Sequence, residues 1–296
     1  MNAVNAFRRL AADANVKLVC LAQPSSTALA IKPLSTDLAL PVVSGGAVDA
    51  LGIPASRYFF KMAPTGKDFI VVLVEYARSK GYKRIATINA TDAYGQDEAR
   101  HLKDSAAANG LTVVAAESFQ TSDTNFSAQL AKIKAANPDF VYSAATGGPA
   151  IQIFRTYKQL GIKAPLAMSQ AALTKPLFDA VGGPAAVDGT MTPTQLGTFG
   201  EAAGGEHAKL FDELQKTLGR RPLFLNALGW DCGIIGMAGV SNSDGTRSGI
   251  RDALEKLSNF PATNGLISYK PEDHTGTDQR SIKMAIFRNE KFELAK

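Results

Sequence analysis

The 296-residue sequence predicts an α/β protein in which helices cover parallel sheets. Apolar segments at 16–21, 85–88 and 140–142 each run into a loop of small polar residues, and a helical pattern follows each loop. Strands that end in polar loops and lead into helices build open parallel sheets. Ligands of such sheets bind at the carboxyl ends of the strands. The sequence therefore predicts a small-molecule site made of strand-end loops.

The first 65 residues contain the weaker element signals. Apolar spacing predicts a helix to about Asp13 and a strand over 17–21. Ser25 or Ser26 is the expected cap of the next helix, because a side-chain oxygen at a helix start accepts a hydrogen bond from the first turn. Short strands are expected at 41–43 and 57–60.

The alternation of helix and strand becomes regular from Lys67 onward. Helices are expected at 68–80, 94–109, 125–136 and 150–160, and strands at 84–89, 112–118, 140–144 and 166–168. A Gly- and Pro-rich stretch over 182–205 interrupts this rhythm and is expected to hold one strand at 189–192. The predicted later elements are helices at 206–218, 223–240 and 246–257 and β-structure at 265–269 and 283–294.

The composition is that of an ordinary globular protein, with 45% hydrophobic and 20% charged residues and a net charge of +5. Lys and Arg are interspersed with Asp and Glu, so no nucleic-acid face is expected. No stretch approaches the roughly 20 apolar residues of a membrane span, so direct membrane insertion is not expected. The length favours about two domains.

The sequence contains no constellation typical of an enzyme active site, and neither an enzyme nor a cofactor is predicted. It lacks a nucleophile elbow, a zinc-protease motif and a phosphate-binding loop. The three histidines, His101, His207 and His274, are far apart, so we expect them on the surface and expect no metal site. For Cys20 and Cys232 we favour buried free thiols, with a disulfide as the alternative in an oxidising compartment.

Two loops near the amino terminus are suited to an anion. Ser25, Ser26 and Thr27 offer hydroxyls and backbone N–H groups at a helix N-terminus, which favours a carboxylate. The loop at Gly46 and Ala47 offers further backbone N–H groups at close approach. Simple helix capping is the alternative explanation of each loop taken alone.

At these loops the chain resembles the leucine/isoleucine/valine-binding family, which are type I periplasmic solute-binding proteins of ABC transporters. The resemblance covers nearly the whole chain in the family's order. The matching segments are 3–10, 24–30, 41–44, 57–64, 92–95, 123–134 and 137–139.

The resemblance implies two doubly wound parallel-sheet lobes joined by a three-strand hinge that closes on a ligand. Lobe 1 would comprise 1–62 and 194–264, and lobe 2 would comprise 63–193 and 265–296. Family members begin with a signal peptide and a strand-helix-strand unit. We therefore expect lobe 1 to lack its initial strand-helix-strand and expect a periplasmic location with the signal peptide lost upstream.

The resemblance also implies the ligand-binding residues, carried over position by position. In lobe 1 these are Ser25, Ser26 and Thr27 of the carboxylate loop with Gly46 and Ala47, and in lobe 2 they are Tyr94, Gly147, Gly148 and Gln170.

One departure from the family pattern bears on the ligand. Amino-acid binders place an acid on lobe 2 against the ligand's α-ammonium, whereas the matching position here is the neutral Gln170. An ammonium buried without a carboxylate costs several kcal/mol. We therefore expect an aromatic or branched organic acid, delivered to the membrane permease of an ABC importer. The alternatives are branched-chain amino acid binding and a ligand-sensing regulatory or receptor domain of the same fold.

Overall fold

The computed structural model describes residues 3–22, 24–200 and 204–295. Its elements alternate between helix and strand along most of the chain, which confirms the predicted α/β class. In chain order they are α1 (Ala3–Ala12), β1 (Val19–Leu21), α2 (Ser25–Asp37), β2 (Val42–Ser44), β3 (Phe59–Lys61), α3 (Gly66–Ser79), β4 (Arg84–Ala90), α4 (Ala93–Ala108), β5 (Thr112–Phe119), α5 (Ser127–Ala135), β6 (Phe140–Ala144), α6 (Gly147–Gln159), β7 (Leu166–Met168), α7 (Lys175–Ala180), β8 (Met191–Gln195), α8 (Gly205–Leu218), α9 (Phe224–Ser241), α10 (Arg247–Glu255), β9 (Phe260–Ala262), β10 (Gly265–Ile267), β11 (Ile282–Arg288) and β12 (Lys291–Leu294).

The chain forms two compact units and passes between them three times. Unit 1 comprises Met1–Thr65 and Gly200–Ser281, and unit 2 comprises Gly66–Phe199 and Ile282–Lys296. Each unit contains a sheet with parallel strands, as the resemblance implied.

The sheet of unit 1 has three parallel strands in the order β1-β2-β3. Val19 pairs with Val42, and Val42 pairs with Phe59. Helices α2 and α9 pack against this sheet. The strands are short, and β2 and β3 are buried along their whole length.

A disulfide joins Cys20 of β1 to Cys232 of α9, so the prediction of two free buried thiols was wrong. The two Cα atoms are 5.8 Å apart, within the usual range for a disulfide. Cys232 is buried, whereas Cys20 is exposed. The sequence did not reveal the pair because 212 residues separate the two cysteines and only the packing of α9 on β1 brings them together.

The sheet of unit 2 has seven strands in the order β12-β11-β8-β7-β6-β4-β5. The five from β8 to β5 run parallel, and β11 and β12 form an antiparallel hairpin at the other edge. One face of the sheet packs on α3 and α4 around a cluster that includes Ile85, Phe140 and Tyr142. Phe140 and Tyr142 alternate along β6, and Ile85 of β4 pairs with Phe140, as expected for residues that share one face of a sheet.

The third passage between units comes later in the chain than expected. Lobe 1 was expected to end at 264, but unit 1 continues to Ser281. Two contacts within unit 1 explain the difference: β10 pairs with β9, and Gly276 N donates to Lys61 O at 2.7 Å. The strand expected at 189–192 likewise lies slightly later, at Met191–Gln195.

The β9–β10 turn is buried, and a buried carboxylate satisfies it. Thr263 and Asn264 connect the two strands and are almost fully buried. Asp231 of α9 accepts from Thr263 N at 2.7 Å, Asn264 N at 2.9 Å, Asn264 Nδ2 at 2.8 Å and Thr263 Oγ1 at 2.5 Å. Burial raises the pKa of Asp231 to about 6, and the four hydrogen bonds oppose this rise.

Two histidines expected on the surface are buried instead. The ring of His274 stacks on Phe60 with 4.3 Å between ring centroids, and its Nδ1 lies 2.9 Å from Phe59 O. His101 of α4 is also buried, and its Nε2 lies 2.9 Å from Arg100 Nη2. Polar neighbours in the sequence suggested exposure, but the packing of the fold covers both rings.

We expect the disulfide to stabilise unit 1. Closing a loop of this length restricts the unfolded chain, and native disulfides typically contribute about 2–4 kcal/mol. Thiol titration of the denatured, unreduced protein should find no free thiol. Urea unfolding under reducing conditions should give a free energy of unfolding that is lower by this amount. A Cys20→Ala, Cys232→Ala double variant serves as the control, since its unfolding should not respond to reductant. Two titratable thiols in the unreduced wild type would contradict the bond.

We expect Asp231 to make stability depend on pH. The folded state keeps this proton up to about pH 6, whereas the unfolded chain releases it near the ordinary aspartate pKa of 3.8. The folded state therefore binds more protons between these values, so the free energy of unfolding falls as pH rises through the window. The slope reaches about 1.4 kcal/mol per pH unit at most.

Urea unfolding between pH 4 and pH 7 measures this effect against two variants. Asp231→Asn should lose this component of the pH slope, and the exposed Asp37→Asn should keep it. A constant stability difference between the wild type and Asp231→Asn at every pH would argue against the raised pKa.

Candidate functional site

The loops that follow β4, β6 and β7 in unit 2 start close together because their strands pair in parallel. Ile88 of β4 pairs with Ser143 of β6, and Ser143 pairs with Met168 of β7. The carboxyl ends of the three strands therefore meet at one edge of the sheet, where ligands of such sheets bind. Three of the expected site positions, Tyr94, Gly147 and Gln170, lie in or just after these loops.

Tyr94 is placed by the start of α4. The Asp92 side chain caps this helix by accepting from Gly95 N at 2.8 Å. A Cβ atom at Gly95 would lie 2.1 Å from Ala90 O, so only glycine allows the helix to start this close to the end of β4. The phenol of Tyr94 is thereby directed to Ser169, with 2.9 Å between their oxygens.

A chain of polar groups lies behind Tyr94. The Tyr142 hydroxyl donates to Glu98 Oε2 at 2.8 Å, and both residues are fully buried. Burial raises the pKa of Tyr94, with a further contribution from the charge of Glu98, while hydrogen bonding from Ser169 and Tyr142 opposes the rise. Burial also raises the pKa of Tyr142. Both phenols are therefore neutral at ordinary pH.

Gln170 lies directly after Ser169 and is almost fully buried. Among the residues that the structure describes, its Oε1 atom has no hydrogen-bond partner. The Oγ atom of Ser143, next to the end of β6, likewise has no hydrogen-bond partner among the described residues. Buried polar atoms are normally paired, so these two atoms mark places for a water molecule or a ligand group.

Gly147 and Gly148 open α6 and are exposed. Gly147 has a φ of +60°, a conformation that favours glycine. The helix N-cap Thr146 makes no side-chain hydrogen bond to the first turn. The first turn of α6 is thus open at the same sheet edge as Tyr94.

The predicted site residues of unit 1 come together, but in a different manner from that expected. Pro24, not a serine, is the N-cap of α2, and it gives no side-chain cap. Ser25 is buried, and its Oγ accepts from Ala47 N at 3.2 Å. Ser44 Oγ accepts from Gly46 N at 3.3 Å. The N–H groups expected to await an anion therefore already have serine partners within unit 1.

A side chain at Gly46 would crowd this arrangement. A Cβ atom there would lie 2.4 Å from Leu51 Cδ1 and 3.3 Å from Ser25 Oγ. Ser26 is exposed and Thr27 is partly exposed in the first turn of α2, so their side chains are accessible where that of Ser25 is not.

Sequence reasoning missed Ser143, Ser169, Tyr142 and Glu98. A signal was present for two of them, since Ser143 is the polar residue next to the end of the apolar strand 140–144 and Ser169 precedes Gln170. No comparable signal existed for Glu98 and Tyr142, because a glutamate on a helix and a tyrosine in an apolar strand have no visible partner in the sequence.

The family model for periplasmic binding proteins matches residues 2–289. This chain belongs to the periplasmic binding protein family. Members of the type I class bind small-molecule solutes and work with the permeases of ABC transporters, and their family is extracytoplasmic. No curated protein sequence matches the chain.

Solved structures share the fold at low sequence identity. An extracellular ligand-binding receptor from Rhodopseudomonas palustris HaA2 is 23% identical with a TM-score of 0.89, over 99% of this chain and 86% of that one. A leucine-binding protein from Thermotoga maritima is 21% identical with a TM-score of 0.85, over 99% and 83%. An ABC-transporter solute-binding protein from R. palustris, solved with benzoate, is 19% identical with a TM-score of 0.85, over 99% and 80%.

In the described part of this binding protein, no helix is both long enough and apolar enough to cross a membrane.

We expect Ser25 and Ser26 to differ in role. Ser25→Ala removes the acceptor of a buried N–H group and should lower the free energy of unfolding by about 1–3 kcal/mol. Ser26→Ala changes an exposed side chain and should alter stability by less than about 0.5 kcal/mol. Urea unfolding of both variants measures the difference. If both variants lose the same free energy of unfolding, the hydrogen bond between Ser25 and Ala47 does not contribute to stability.

Proposed function

We propose that this binding protein carries a small carboxylate without an α-ammonium group, such as an aromatic or branched organic acid, to the membrane permease of an ABC importer. It acts outside the cytoplasm and is not an enzyme. The strand-end loops hold the proposed contact residues of each unit. In unit 1 these come from the first turn of α2 and the loop at Gly46 and Ala47, and in unit 2 from Tyr94, Gly147, Gly148 and Gln170.

The neutrality of the unit 2 loops carries the proposal. In the loops after β4, β6 and β7, Asp92 is the only acidic residue, and its side chain is engaged in capping α4. Gln170 is buried and uncharged. An α-ammonium bound here would lose its hydration without gaining a carboxylate, which costs several kcal/mol. A ligand without that charge avoids this loss.

The first turn of α2 supports the placement of the ligand carboxylate. Pro24 is the N-cap of α2 and makes no side-chain hydrogen bond to the first turn. The accessible hydroxyls of Ser26 and Thr27 lie at the positive end of the helix dipole. N–H groups and hydroxyls at such an end favour an anion.

The similar structures are compatible with this ligand class. One of them binds benzoate and another is a leucine-binding protein, so ligands with and without an ammonium occur on this fold. The neutral Gln170 favours the ammonium-free group.

The disulfide supports the extracytoplasmic location. Disulfides persist in oxidising compartments such as the bacterial periplasm and are rare in the cytosol. The Cys20–Cys232 bond is therefore in keeping with a protein that works outside the cytoplasm.

A thermal-shift panel tests the ligand class. Benzoate, 4-hydroxybenzoate and 4-methyl-2-oxopentanoate represent the proposed acids, and leucine and valine represent the amino acids. At 100-fold excess over its dissociation constant, a true ligand should stabilise the protein by roughly 2.7 kcal/mol. Stabilisation by leucine or valine with none by the acids would refute the proposal.

A charge change at position 170 adds a matched control. Gln170→Glu should weaken binding of the best acid by more than about tenfold, because a buried carboxylate would repel the ligand's own. Gln120→Glu adds the same charge to an exposed loop position of the same unit and should leave the affinity unchanged. If calorimetry finds equal affinities for the two variants, Gln170 does not contact the ligand.

A further inference from the structure

The hydroxyl of Tyr94 lies in the interior of unit 2. It is 2.9 Å from Ser169 Oγ, and burial raises its pKa. The residue as a whole nevertheless remains partly exposed. Because the partner of the hydroxyl, Ser169, is fully buried, we take the exposed part of Tyr94 to be its ring.

Two neighbouring strands direct partners to this hydroxyl. Tyr142 of β6 pairs with Ala167 of β7, and Ser169 follows two residues later. Side chains two residues apart share one face of a sheet. Ser169 and Tyr142 thus reach Tyr94 from the same side of the sheet. Tyr94 and Tyr142 each affect the pKa of the other, as expected if their hydroxyls are neighbours.

Glu98 fixes the innermost member of this group. Its Oε2 atom accepts the proton of the Tyr142 hydroxyl at 2.8 Å. This bond holds the Tyr142 hydroxyl in place beside Tyr94. Because Glu98 and Tyr142 are both fully buried, they form a fixed support for the phenol.

We infer that Ser169 and Tyr142 are positioning residues, which hold the Tyr94 hydroxyl inward so that this binding protein offers its ligand the ring of Tyr94. The inference rests on the proposed function for the presence of a ligand at Tyr94. The part of the ligand that meets Tyr94 is then apolar, a flat aromatic or branched aliphatic body. The carboxylate lies away from it, because the phenol hydroxyl is already hydrogen-bonded with Ser169.

The loss of hydrogen bonds enforces this choice. A ligand group that drew the Tyr94 hydroxyl outward would break its hydrogen bond with Ser169 Oγ in the interior. Each unpaired buried group costs about 1–3 kcal/mol. An apolar contact with the ring leaves all these bonds in place, and aromatic pairs add a favourable contribution of about 0.5–1.5 kcal/mol.

A comparison of side chains at position 94 tests which end of the phenol meets the ligand. Calorimetry with benzoate and 4-methyl-2-oxopentanoate compares Tyr94→Phe, which keeps the ring, with Tyr94→Ala, which removes it. Tyr94→Phe should stay within about threefold of the wild-type affinity, and Tyr94→Ala should lose more than about tenfold. Equal losses in both variants, with wild-type stability, would overturn the inference because the hydroxyl would then contact the ligand.

Ser169→Ala tests the positioning role. It should weaken binding about threefold to tenfold, the range expected for one lost hydrogen bond. The matched control is Tyr157→Phe, which removes another tyrosine hydroxyl of unit 2, one that donates to Ala164 O at 2.6 Å. This control should leave the affinity unchanged. Equal affinities of Ser169→Ala, Tyr157→Phe and the wild type would remove Ser169 from the positioning role.

A measurement without ligand separates this inference from the proposed function. With 13Cζ-labelled tyrosine, the Tyr94 signal, assigned by its absence in Tyr94→Phe, should not titrate up to pH 11 in the folded wild type. It should shift in Ser169→Ala and in Tyr142→Phe, and remain in place in Tyr157→Phe. If no acid of the panel binds, the proposed function fails while this result still decides where the hydroxyl lies. A Tyr94 signal that titrates like an exposed tyrosine would overturn the inference.

Discussion

The parallel pairing of β4, β6 and β7 is the constraint on which the unit 2 site depends. Its register aligns Ile88, Ser143 and Met168, so the three following loops begin at the same level of the sheet. Tyr94 and Ser169 are 75 residues apart in the sequence, yet their oxygens are 2.9 Å apart because of this alignment. A slip of one residue in β7 would turn its side chains to the opposite face. It would also separate Ser169 from Tyr94.

Buried carboxylates in the described part of the protein hold other parts of the fold. Asp231 accepts the N–H groups of the β9–β10 turn, and Glu98 accepts the hydroxyl of Tyr142. Each keeps a segment of backbone or a side chain in one orientation, and Asp92 does the same at the start of α4. The acids near the proposed ligand loops are thus engaged as acceptors. This leaves the contacts to neutral groups and gives a physical basis for a ligand that needs no counter-charge from unit 2.

The sequence was sufficient for most local structure and insufficient for contacts across long separations. Alternating apolar segments with helices between them predicted α3 through β7 nearly to the residue, because period and length distinguish strand from helix there. The N-cap of α2 was wrong because Pro24 occupies the cap position, while Ser25 instead bonds the loop at Ala47. The disulfide, the buried His274 and the partners of Tyr94 all depend on residues distant in sequence. No local pattern encodes such pairs.

The two units differ in how completely they satisfy the polar groups of their own loops. In unit 1, Ser25 and Ser44 satisfy the N–H groups of Ala47 and Gly46, so that loop is already complete before any ligand binds. In unit 2, the described residues provide no partner for Gln170 Oε1. Rotation of the amide by 180° exchanges its donor and acceptor, so Gln170 can meet either kind of ligand group. An unpaired buried amide can distinguish between ligands that do and do not complete its hydrogen bonds. Substitutions at position 170 should therefore change which acid is bound more than substitutions in the first turn of α2 do.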